Sequence, residues 1–200
     1  MSRDFSRRAF VATAAFLLMT TPAFAGQTGE ASGIVSEASA LSPGEFVWQP
    51  DLATEGEVEI VVSVPLQRAY VYRGGTLIGI TTVSTGRPGH DTPTGTFSIL
   101  QKRREHYSNL YNNAPMPFMQ RLTWGGVALH AGHIPGRPAS HGCVRLPLDF
   151  ARLLFSATQL GGSVHVTDAA PESPEMALAM VRGVGGYVGM GGPEEPLGSN

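Results

Sequence analysis

One cysteine, one lysine and no apolar run long enough for a membrane span stand in these 200 residues. The single cysteine, Cys143, excludes an internal disulfide. A lone thiol in an exported chain is an intermolecular bridge, a buried inert residue or a free reactive group. The scarcity of lysine leaves a net charge of −2, which excludes the broadly basic surface of a sequence-independent nucleic-acid binder. No repeat of fixed period is visible, so a solenoid or propeller is not indicated.

The N-terminus is where apolar and basic residues gather. Arg3, Arg7 and Arg8 precede an almost wholly apolar stretch from Ala9 to Thr20, and Ala23-Phe24-Ala25 forms a small-x-small cleavage site before Gly26. Residues 1–25 are therefore expected to be a signal peptide. The apolar stretch is shorter than the roughly 20 residues of a membrane span. Ser6-Arg7-Arg8-Ala9-Phe10 also resembles a twin-arginine signal, so both Sec and twin-arginine export are open. No cysteine at the cleavage point provides a lipid anchor. The expectation is an exported protein of the periplasm or cell envelope, with no membrane insertion after cleavage and monomeric by default. Losing Arg3, Asp4, Arg7 and Arg8 moves the net charge from −2 to −4.

Residues 26–54 are small and polar and are expected to be a flexible tether; residues 169–200, rich in Gly and Pro, are expected to be a disordered tail. Within that tail, Met176 to Val181 could form a helical turn or two. The core, residues 55–168, reads as mainly β. Val58, Ile60, Val62 and Val64 alternate with Glu59, Val61 and Ser63, a period of two. The runs Ala69–Tyr72 and Leu77–Val83 flank Gly74-Gly75, a hairpin signal. Further strands are expected over Thr96–Leu100, Gly126–His130 and Val164–Val166. One helix is expected over Leu148–Ala157, with Pro147 at its start, Gly161-Gly162 past its end, and Leu148, Ala151, Leu153, Leu154 and Phe155 as its buried stripe. Many short strands and one helix predict a β-sandwich or barrel with one packed helix.

The thiol lies in Ser140-His141-Gly142-Cys143-Val144-Arg145, and His130 and His133 precede it by a short loop. A free thiol is mostly protonated at pH 7 and becomes a nucleophile when a histidine takes its proton. His141, one glycine away, is one candidate base. His130, at the end of a predicted strand, is the better placed one, because a rigid strand holds a catalytic group more firmly than a loop does. The bend at Gly142 would aim successive N–H groups at one point, as an oxyanion hole requires. Arg145 suits a substrate carboxylate or a buried structural one. Ser140 suits a substrate hydrogen bond or a local turn. A rival reading makes His130, His133, His141 and Cys143 zinc ligands, although no established zinc spacing matches. A second rival leaves the cysteine as a small buried hydrophobe.

His130 followed by Ser140-His141-Gly142-Cys143-Val144-Arg145-Leu146-Pro147 resembles the signature of the L,D-transpeptidase (YkuD-like) catalytic domain. The segments Val83-Ser84-Thr85-Gly86-Arg87-Pro88, Thr92-Pro93-Thr94-Gly95-Thr96-Phe97 and Met116-Pro117-Phe118-Met119 resemble the family in the same order, so the likeness spans about residues 57–168. The resemblance implies the family's mainly β fold, with Cys143 as nucleophile and His130 as proton acceptor and donor. The Ala131 carbonyl would orient the imidazole. His141, Gly142 and Cys143 would supply oxyanion N–H groups, and Ser140 and Arg145 would support or contact substrate. Arg145 stands where other members have asparagine, and the loop from His130 to Ser140 is shorter than in some relatives. The implied substrates are peptidoglycan stem peptides, joined through a Cys143 thioester; water in place of the acceptor amine would give a carboxypeptidase or endopeptidase. No metal or organic cofactor is implied.

Overall fold

The structure, a computed structural model, describes residues 33–34, 40–109 and 112–183. The expected signal peptide, the first residues of the tether and the end of the tail lie outside the described residues.

Among the described residues, ten strands form two sheets. Strands β1 (Phe46–Trp48), β2 (Val58–Ser63), β3 (Arg68–Arg73), β4 (Thr76–Thr82), β5 (Gly95–Ser98) and β10 (Ser163–Thr167) make the larger, in the order β1-β4-β3-β2-β10-β5. Strands β6 (Gln101–Arg103), β7 (Met119–Arg121), β8 (Ala128–Ala131) and β9 (Val144–Leu146) make the smaller, in that order. Helix α1 (Leu148–Ala157) packs with both sheets, and a second helix, α2 (Pro174–Arg182), follows β10. The mainly β architecture matches expectation; the second helix adds to it.

Alternation explains the larger sheet. Ile60, Val62, Ala69, Val71 and Ile78 project from one face into a core shared with Leu129, Val144, Leu146, Phe150 and Leu154. Val61, Tyr70, Tyr72, Leu77 and Ile80 project from the other face and are buried with Ile34 and Ala177. Period-two side chains alternate faces, and here both faces are covered, so Val61 is as buried as its neighbours.

Both predicted ends of the core need correction. Phe46–Trp48, placed in the tether, is a strand paired antiparallel with β4, Phe46 opposite Thr81 and Trp48 opposite Gly79. Aromatic packing holds it, since the Phe46 and Trp48 rings meet Phe150 edge-on at 5.4 and 5.5 Å. Pro174–Arg182, placed in the disordered tail, is a docked helix. Ser173 caps it by accepting from the Met176 N–H at 3.2 Å, Pro174 opens it, and Gly183 closes it at φ 68°. Tyr72 donates from its buried hydroxyl to the Pro174 carbonyl at 2.6 Å, and Arg182 pairs with Glu59.

Helix α1 also differs from expectation on its faces. Its buried residues are Phe150, Ala151 and Leu154, spaced for one helical face, whereas Leu148 is 59% exposed. The chain's single lysine, Lys102 on β6, closes the helix end. Its Nζ donates to the carbonyls of Phe155 and Thr158, both at 2.6 Å, where a cation complements the helix dipole.

Ala177 is 1% exposed within the α2 contact. Ala177→Asp is expected to lower unfolding stability by about 2–4 kcal/mol, because it buries an unpaired carboxylate. Urea denaturation checks this; an unchanged midpoint would show that α2 is not part of the folded body.

Candidate active site

Parallel pairing of β8 with β9 brings the candidate base and the thiol segment together. Leu129 lies opposite Val144, and His130 opposite Arg145. Cys143 immediately precedes β9 and so enters beside the start of β8. Both His130 and Cys143 line one cavity of about 570 Å³, along with His133, Ser140, His141 and Arg145. Met116, Pro117, Gly126, Val127 and Leu148 supply part of its apolar wall.

The His130 ring is 8% exposed, and its Nδ1 lies 2.8 Å from the Ala131 carbonyl. A carbonyl only accepts, so Nδ1 carries the hydrogen and Nε2 keeps a lone pair. Burial is the main cause that holds the His130 pKa down to about 4; the Ala131 bond opposes it and the Arg145 charge adds to it. The imidazole is therefore neutral at neutral pH. Cys143 is half-buried, and its Sγ donates to the Gly126 carbonyl at 3.5 Å. Burial pushes the thiol pKa up, only partly offset by a hydrogen bond from the Ala128 backbone and by the Arg145 and Arg121 charges. The pair rests as thiol and imidazole rather than as thiolate and imidazolium.

The loop before the thiol is held from a distant part of the chain. Ser84 and Arg145 exchange backbone hydrogen bonds, at 3.1 and 2.9 Å, and the Ala139 and Ser140 N–H groups both donate to the Thr85 carbonyl at 3.0 Å. The Thr92 hydroxyl accepts from the Gly86 N–H and donates to the Gly142 carbonyl, each at 2.9 Å. Gly142 has φ 108°, in the region that favours glycine. At Gly86 the requirement is space: an added Cβ would stand 1.9 Å from the His90 carbonyl.

Ser140 acts within this turn. Its hydroxyl donates to the Cys143 carbonyl at 2.5 Å and accepts from the Gly142 N–H at 3.1 Å. The expectation that Gly142 offers its N–H to an oxyanion is thus corrected, since that hydrogen is turned onto Ser140. The Cys143 N–H makes no hydrogen bond among the described residues. His141 borders the cavity and meets the His90 ring edge-on at 4.8 Å. The Arg145 stem passes close over Gly132, and its guanidinium has no acidic partner among the described residues. No group of three or more His, Cys, Asp or Glu positioned to hold a metal ion occurs among the described residues.

Sequence reasoning missed Thr92, Gly126 and Leu148. Thr92 sat in the Thr92-Pro93-Thr94-Gly95 segment that carried the resemblance, which was the available signal. Gly126 acts through a carbonyl and leaves no signal in residue type.

Comparison with known proteins points to one family. The family model described as the L,D-transpeptidase catalytic domain matches residues 57–166. L,D-transpeptidase 1 of Mycobacterium tuberculosis strain H37Rv is 27% identical over 122 residues, which cover 53% of this chain and 49% of that protein. The match therefore spans about half the length of that curated relative. Among solved structures, an L,D-transpeptidase from Stackebrandtia nassauensis superposes with a TM-score of 0.54 at 26% identity, covering 73% of this chain and 70% of that one. One from Mycobacterium smegmatis gives 0.51 at 25% identity, covering 56% and 58%.

Two outcomes test the site. Alkylation of Cys143 by iodoacetamide should rise with pH through an inflection above the ordinary thiol value. An inflection between about pH 4 and 6, the signature of a thiolate–imidazolium pair, would contradict the neutral resting state. Gly86→Ala should cost about 1–3 kcal/mol of stability through overpacking. An unchanged urea midpoint would mean that the loop gives way freely.

Proposed function

The chain belongs to the L,D-transpeptidase catalytic-domain family, and we propose that it is a cysteine L,D-transpeptidase that cross-links peptidoglycan stem peptides. The observation that carries the reading is the His130 Nδ1 bond to the Ala131 carbonyl, which leaves Nε2 as a proton acceptor in the cavity of the only thiol.

The reaction follows from these groups. The stem peptide enters with the amide between its diamino acid and the terminal D-amino acid facing Cys143. His130 Nε2 takes the thiol hydrogen as Sγ bonds to the carbonyl carbon. Negative charge gathers on the carbonyl oxygen, and the Cys143 N–H stabilises it. The C–N bond then breaks, and the leaving amine takes the proton from His130. A thioester remains on Cys143. The amine of a second stem peptide attacks it, again giving a proton to His130, and the new amide leaves as the thiolate is reprotonated.

A neutral pair suits this sequence. A base with its pKa held down to about 4 stays unprotonated across neutral pH and is ready to accept, although burial weakens its driving force. Arg145 is the one arginine of the cavity lining, which has no Asp or Glu, so a substrate carboxylate is its fitting partner. The proposed setting is the periplasm or cell envelope, reached through the N-terminal signal.

Incubation with a tetrapeptide-stem muropeptide, followed by mass analysis, tests the reading. Dimer with loss of one D-alanine is the expected product. Tripeptide alone would reassign the enzyme as a hydrolase. Cys143→Ala should abolish turnover, and His130→Ala should lower it about 10²–10⁴-fold, the usual contribution of a general base. Dimer formation by Cys143→Ala would end the thiol mechanism.

A further inference from the structure

The turn that receives the thiol hydrogen carries an exposed tryptophan. Between β7 and β8 the chain reverses at Thr123-Trp124-Gly125-Gly126, and the reversal is well fixed. The Gly126 N–H donates to the Thr123 carbonyl at 3.1 Å, the Thr123 N–H to the Val127 carbonyl at 3.2 Å, and the Val127 N–H to Thr123 Oγ1 at 3.1 Å. Trp124 is 76% exposed, while the chain's other tryptophan, Trp48, packs on Phe150. A large amphipathic ring held in water at the lip of a cleft is positioned for a ligand rather than for the core.

The cleft is on the page. A second recess of about 190 Å³ is lined by Trp124 together with His106, Asn109 and Arg121, over a floor of Met119 and Ala128. It shares Ser108, Met116, Gly125 and Gly126 with the thiol cavity, so the two adjoin. No Asp or Glu lines it. Tyr107, 55% exposed, stands between the lining residues His106 and Ser108. An aromatic face beside an amide, an imidazole and a guanidinium suits a sugar ring. The C–H face of such a ring would pack on the indole, and its hydroxyl and acetamido groups would hydrogen-bond at the edge. A membrane surface would call for a broader apolar patch than these side chains offer.

We propose that the Trp124 recess is a saccharide subsite, which holds the sugar that bears the stem peptide. The proposal rests on the transpeptidase reading for the identity of that sugar. The spacing agrees. In a tetrapeptide stem, three residues separate the sugar from the bond to be cut, which span about 10 Å when extended. Trp124 stands two residues from Gly126, at most about 7 Å of chain, and the Gly126 carbonyl touches the thiol.

Calorimetry on Cys143→Ala, which holds ligands without turnover, tests the subsite with three ligands: disaccharide-tetrapeptide, tetrapeptide alone and disaccharide alone. The disaccharide-tetrapeptide should bind about tenfold more tightly than the tetrapeptide, as one aromatic contact allows. Adding Trp124→Ala should remove that gain without weakening the free tetrapeptide, and Trp124→Phe should keep most of it. Intrinsic fluorescence should respond to the disaccharide and lose that response in Trp124→Phe, where only Trp48 remains. A disaccharide that adds no affinity, or a Trp124→Ala loss equal for both peptides, overturns the subsite and leaves the transpeptidase reading standing. Trp124-dependent sugar binding by a protein whose wild type turns over no muropeptide supports the subsite and overturns the enzyme reading. Binding of none of the three overturns both.

Discussion

The parallel pairing of β8 with β9 is the constraint on which the site depends. Antiparallel strands can be joined by a tight turn, but parallel neighbours need a longer crossover. Here the crossover is the segment from Gly132 to Cys143, so the thiol arrives at the start of β9 and the imidazole at the end of β8. The crossover has little regular structure of its own. Its place is set by Ser84, Thr85 and Thr92, which bond to Arg145, Ala139, Ser140 and Gly142. The thiol loop is thus held between a strand of its own sheet and a segment leaving the larger sheet. That arrangement gives a loop the positional precision of a strand.

Burial then sets the electrostatics. The Cys143 and His130 side chains are both substantially enclosed, and low dielectric penalises charge on either, so the imidazole pKa falls while the thiol pKa rises. Arg145 supplies the one full positive charge in the cavity lining. It favours a thiolate, disfavours an imidazolium and leaves room for an anionic substrate. The proton on Nδ1, fixed by the Ala131 carbonyl, leaves Nε2 as the ring nitrogen with a free lone pair.

Much of the fold was legible. Alternation of Val58 to Val64, the Gly74-Gly75 hairpin and the 3.6-residue pattern of Leu148–Ala157 are local, and each appears where the pattern put it. What escaped depended on neighbours. Phe46–Trp48 is too short to announce a strand by itself and becomes one by pairing with Thr81 to Gly79 and packing on Phe150. Pro174–Arg182 lies in a Gly- and Pro-rich tail whose composition hid its caps, Ser173 and Gly183. Leu148 is apolar and fits the core stripe of α1 by pattern, whereas the helix turns it outward beside the cavity.

For the site, residue type and order alone singled out Cys143, favoured His130 over His141 and drew attention to Ser140, Gly142 and Arg145. Those are properties of side-chain chemistry and short spacing, which a chain carries whether or not it is folded. Tertiary structure alone decided that Gly142 gives its N–H to Ser140, that Gly126 takes the thiol hydrogen, and that Thr92 bonds to Gly142 from 50 residues away. It also decided that Trp124 stands exposed beside the thiol cavity. These features rest on backbone groups and on contacts between distant segments. Every residue carries the same N–H and carbonyl, proline's missing hydrogen aside, so only packing selects which of them meet.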